Sequence, residues 1–144
     1  MAAHYREKII VLWSVFLLGL LFHTQLGLMP LFHGLDVADS HAQNLAVIAP
    51  IMWLMLAFFV IPMGAMIATA FTETRRYRKI HFALSVVYTL LNFSHFLADF
   101  LVPPRLWYQV ALMVILFAIG LLLNLVSFQW LREKAKATPL PEFR

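Results

Sequence analysis

The sequence predicts an all-α fold: a polytopic membrane protein, four transmembrane helices in an up-down bundle, forming one membrane domain over residues 1–144. Three observations carry this. The chain is 62% apolar and only 12% charged, far from the usage of soluble domains. Four apolar stretches, at about 9–29, 45–71, 80–102 and 106–131, each have the length to cross roughly 30 Å of hydrocarbon at about 1.5 Å per residue. Ten of the eleven basic residues fall on one side of these spans, Arg105 alone on the other. That bias predicts cytoplasmic N- and C-termini and gives the net charge of +4 a topological origin, not a nucleic-acid partner. With no cysteine, the chain has no disulfides, thiolate metal sites or thiol redox chemistry of its own.

The first span carries Arg6 and Lys8 ahead of it and Trp13 near its inner end. It lacks a small-residue cleavage site and is expected to be a retained span, not a signal peptide. His23 lies deep in it, with Gly19 and Gly27 one turn to either side on the same face. Pro30 is expected to end or kink it. The following outer loop, to about residue 43, is rich in candidate ligands: His33, Asp36, Asp39 and His41. Asp39 or Ser40 is a candidate cap for the second span.

The second span is bland. Ala57, Gly64 and Ala68 form a line of small residues suited to close helix packing, and Pro62 is a candidate bend. The basic stretch at 72–79 reads as a short loop that sets topology.

The third span is the most informative. His81, Ser85, Tyr88, Asn92, His95 and Asp99 follow one another in steps of four, three, four, three and four. At about 100° per residue all six lie within roughly 40° of one line. One polar seam on an otherwise apolar helix predicts that this face turns toward partner helices and that Phe82, Leu90, Phe93 and Leu97 turn toward lipid or the flanks. The short link through Pro103, Pro104 and Arg105 makes the third and fourth spans antiparallel neighbours. Trp107 and Tyr108 at one end of the fourth span and Trp130 at the other read as an aromatic belt. Asn124 and Ser127 share a face with Gly120, and Asn124 falls near the depth of Ser85 and Tyr88. The tail from 132 to 144 is charged and proline-containing, and reads as a surface-lying end.

Chemistry is expected where His23 and His95 meet. In an up-down bundle the first and third spans are parallel and diagonal, and both histidines fall about 21–23 Å above the inner edge. Intramembrane ionisable groups are costly and mark functional sites by default. Two facing imidazoles suit haem b, with Gly19 and Gly27 leaving room for a macrocycle. The alternative is a transition metal ion on His23, His95 and Asp99, completed by His33 or His41; zinc, copper or non-haem iron would fit such a set. Ser85, Tyr88 and Asn92 read either as a hydrogen-bonded line or as polar glue between helices. In architecture the chain resembles the four-helix b-type cytochromes of membranes, through His23 with its flanking glycines and through His95. It does not supply the second histidine pair of the di-haem members.

The expected function is therefore to bind a haem or metal between helices one and three near the outer face, for electron transfer or within a redox complex. A non-catalytic accessory subunit and a small membrane metalloenzyme using the outer His/Asp cluster are the alternatives. The expected partners are the lipid bilayer and other membrane subunits or further copies of the chain. The expected location is the plasma membrane or another energy-transducing membrane. The orientation is tested with cysteines placed at Ala38 and Ala137. In intact cells an impermeant thiol reagent should label position 38 and spare position 137, and the reverse pattern would overturn the topology.

Overall fold

The computed structural model describes residues 2–37, 44–101, 103 and 105–133. They form four α-helices and one short 3-10 turn: α1 Ala2–Leu28, the 3-10 segment Met29–His33, α2 Leu45–Phe71, α3 Arg75–Leu101 and α4 Trp107–Arg132. All four helices are long and apolar enough to cross a membrane. Composition thus suggests a membrane bundle.

The local chemistry explains the boundaries. Pro30 lies at the start of the 3-10 turn, and Gly34 closes that turn at φ 75°, a left-handed conformation that suits glycine. Asn44 caps α2 by accepting from the Val47 amide at 3.3 Å. Asp39 and Ser40, the expected caps, lie outside the described residues, as do His41 and the tail beyond Glu133. The expected loop at 72–79 is shorter in the structure. Thr74 accepts from the Tyr77 amide at 3.3 Å as an N-cap, so α3 starts at Arg75 and its basic residues are helical.

Pairings along the helices set their directions. α1 packs against α4 and α2, and α4 packs against α3. Arg6, at the start of α1, bridges to Glu73 at 3.0 Å and to the Ala70 carbonyl at 3.3 Å, beyond and within the end of α2. Neighbours in the bundle are therefore antiparallel, and α1 and α3 face each other as a parallel pair across the axis. We call the end holding Arg6, Arg75 and Arg132 the basic end, and the opposite one the far end.

The core is tightest in the basic half. Trp13, Phe16 and Ile9 of α1 meet Tyr88 of α3 and Met113, Leu116, Leu123 and Trp130 of α4. Trp130 is fully buried and contributes to this core, not to an aromatic belt; Trp107 and Tyr108 are exposed as a belt requires. Trp13 donates its indole N–H to His81 Nε2 at 2.9 Å. An indole only donates, so that nitrogen is an acceptor and His81 carries its proton on Nδ1, which faces Ser127 Oγ at 3.2 Å. Three helices are thereby joined at one level. Arg78 is nearly as buried, at 7% exposure. Its guanidinium donates to the carbonyls of Trp130 and Glu133 at 2.9 and 3.1 Å and lies over the Trp130 ring. A cation there also complements the C-terminal end of the α4 dipole.

α2 is the loosest member. Most of its side chains are exposed, and the small-residue line at Ala57 and Gly64 faces outward. Its bend position is tethered. Pro62 has no N–H, so it leaves the Phe58 carbonyl without its helical donor, and Tyr88 supplies one, its hydroxyl donating to that oxygen at 2.7 Å. Tyr88→Phe should cost about 0.5–2 kcal/mol of stability in a membrane-mimetic denaturation. In a Pro62→Ala background, where the helix provides its own donor, the same change should cost about 1 kcal/mol less. Equal costs in both backgrounds would refute the tether.

Candidate metal centre at the far end

His23 reaches the bundle axis from the last turns of α1, while His95 and Asp99 lie one turn apart on α3. His23 Nε2 is 3.0 Å from Asp99 Oδ2. His95 Nε2 is 3.8 Å from the same oxygen. The two imidazoles meet edge to face, with centroids 5.2 Å apart. One donor atom from each of the three side chains lies within 4.8 Å of the other two. At 3.0 Å, His23 Nε2–H donates to the carboxylate in a charge-assisted hydrogen bond. His95 is too far for a hydrogen bond, and its side chain is 56% exposed.

Such spacing lies near what one metal ion needs. With bonds of about 2.0–2.1 Å, tetrahedral donors sit roughly 3.4 Å from one another, and 3.0 and 3.8 Å bracket that value. Two histidines and one carboxylate, with further positions open, are a recurrent set for zinc and non-haem iron. Bis-imidazole haem ligation asks for more. Iron bonds of about 2 Å on opposite faces put the ring centroids about 6 Å apart, and here the centroids are 5.2 Å apart with Asp99 Oδ2 within 3.0 and 3.8 Å of the two nitrogens. The glycines beside His23 serve α4: an added Cβ at Gly19 would strike Leu116, and one at Gly27 would crowd Gln109.

The other candidates separate from this group. His33 is exposed on the 3-10 turn and is not among the converging donors. Asp36 is exposed on the adjoining segment, and Asp39 and His41 lie outside the described residues. Arg105 donates to the Phe100 carbonyl at 2.8 Å and leaves Asp99 to the histidines. His81 belongs to the core triad with Trp13 and Ser127.

The seam behaves as polar glue along most of its length. His81, Ser85, Tyr88 and Asn92 are buried, while Leu90, Phe93 and Leu97 are exposed. The Ser85 hydroxyl donates to the Phe82 carbonyl of its own helix, and the Tyr88 hydroxyl donates across to the Phe58 carbonyl of α2. Asn124 finds Thr89 Oγ1 at 3.0 Å, and Gly120 leaves the space that the Thr89 side chain fills.

Comparison with protein-family models, curated proteins and solved structures finds no match.

Proposed function

We propose that this chain is a multi-pass membrane protein that binds one transition-metal ion through His23, His95 and Asp99, near the outer face, with both termini cytoplasmic. The observation that carries the proposal is the convergence of two imidazole Nε2 atoms, from diagonal helices, on one carboxylate oxygen. Polar side chains in hydrocarbon are costly, and three of them at one point, one half exposed, exceed what helix pairing requires. The short centroid separation and the carboxylate as a third converging donor favour an ion over haem. Positions not taken by the three side chains leave room for an exchangeable ligand. That suits a redox-active or Lewis-acid ion meeting a substrate or electron partner at the far end, in the plasma membrane or another energy-transducing membrane.

The competing reading is a His23–Asp99 ion pair that only joins α1 to α3. Its hydrogen bond alone would serve that purpose, and metal analysis separates the two. Purified chain loaded with ferrous iron or zinc and washed with a weak chelator should retain about one ion per chain. His23→Leu and His95→Leu should each weaken retention by more than about 100-fold, beyond the usual effect of changing a supporting residue. His33→Leu should leave it unchanged. Equal retention in all variants, or none in the parent, would leave the ion pair as the explanation.

A further inference from the structure

A cavity of about 430 Å³, with His23 and His95 in its lining, lies between α1, α2 and α3 and reaches Met113 of α4, within the size range of small-molecule sites. Its wall is mainly apolar, from Leu20, Leu54, Phe58, Phe59 and Leu91 among others. The close packing of α2 is with α1, and Leu54 and Leu91 are themselves exposed on the α2–α3 side. The cavity therefore opens sideways, onto a surface that the membrane reading turns to lipid.

The polar groups lining it are unequal. The Thr24 hydroxyl donates to the Leu20 carbonyl at 3.3 Å. His23 is engaged with Asp99, and His95, which also lines the cavity, is open to the surface. Asn92 is different: it is 3% exposed, its Nδ2 has the Met113 sulfur at 4.0 Å, and its Oδ1 accepts no hydrogen bond among the described residues. A thioether is a weak acceptor, so the amide nitrogen belongs on the sulfur side and the oxygen is the free atom. Buried acceptors in native proteins almost always have a donor. Asn92 lines the cavity, and an occupant with an O–H or N–H on an apolar body would supply that donor.

We infer that this cavity binds a lipid-soluble alcohol or phenol, which enters between α2 and α3 and donates its hydroxyl to Asn92 Oδ1. The apolar body lies along Phe58, Leu54 and Leu91. A hydroxyl suits the site better than an amine, because an ammonium would have to leave its charge among apolar walls with one neutral acceptor. The inference rests on the membrane reading; His23 and His95 also line the cavity, but the acceptor it invokes, Asn92, is outside the His23, His95 and Asp99 group.

The test compares para-octylphenol with its methyl ether, which has the same body and no donor. Binding to the full chain in lipid nanodiscs is measured against protein-free discs, and resistance to alkaline carbonate extraction checks membrane insertion separately. Wild type should bind the phenol saturably, about one per chain, and about tenfold or more tighter than the ether. Asn92→Leu, which removes the acceptor and keeps the bulk, should erase that difference. Leu91→Trp, which fills the chamber from its flank, should abolish saturable binding of both probes. Asp99→Asn, at a side chain of the proposed metal group that does not line the cavity, should keep the preference for the phenol, which separates this site from the metal proposal. Equal binding of phenol and ether by wild type, a preference that survives Asn92→Leu, a preference lost in Asp99→Asn, or no saturable binding to inserted protein would each overturn the inference.

Discussion

The hydrogen bond from the Trp13 indole to His81 is the contact on which the packing of this bundle depends. In apolar surroundings a polar group has no water to fall back on, so each must find its partner inside the chain. His81 solves this with both ring nitrogens, one toward α1 and one toward α4. It fixes the rotation of three helices about their own axes, which shape-neutral contacts among leucines do not. Trp130, Tyr77 and Tyr88 then pack their rings around the Trp13–His81 pair. Arg78 extends the same logic to the helix end, where free carbonyls of α4 would otherwise be unpaired.

With the basic half anchored in this way, the far half is free to be less tightly closed. The side chains of the candidate centre are only partly buried, and the cavity beside them exists because α2 follows α1 and diverges from α3. Rigidity and access are thus divided along the length of the helices. Dense aromatic packing holds α1, α3 and α4 in register, so His23 and Asp99 meet at a fixed height. Binding sites tend to lie where packing is locally relaxed on a rigid frame, and here the transition between the two regimes falls near Asn92.

Much of the fold was legible in the sequence because periodicity reports faces. The polar steps of α3 marked His81, Ser85, Tyr88, Asn92, His95 and Asp99 as inward; the first four are buried, Asp99 is partly buried, and His95, nearer the open far end, is exposed. Asn124 was placed at the right depth, although its partner is Thr89, a residue that lies off the seam. The pairing of His23 with His95 followed from equal depth on parallel helices, and their rings do meet. What escaped the reading were roles that depend on the rotation of a neighbouring helix. Trp13 and Trp130 carry tryptophan's usual signature of an interface residue, yet both are fully buried. Arg78 looked like one charge among several, and Gly19 looked like space for a ligand when it is space for Leu116. Thr74 could have been found: a threonine just before a helical pattern is an N-cap signal.

Tyr88 has a consequence for mechanics. α2 is secured near its basic end by Arg6 and by Tyr77, whose hydroxyl engages Thr69 and the Ala65 carbonyl. Moving toward the far end, the next polar link is Tyr88 to the Phe58 oxygen that Pro62 sets free. Above that link α2 runs more than two turns, from Leu54 back to Leu45, with no side-chain hydrogen bond to α3 among the described residues. It is a lever, with its fulcrum at the proline and its short arm clamped. Beyond the proline, the long arm is held to α3 by one polar contact, the phenolic proton on the Phe58 oxygen.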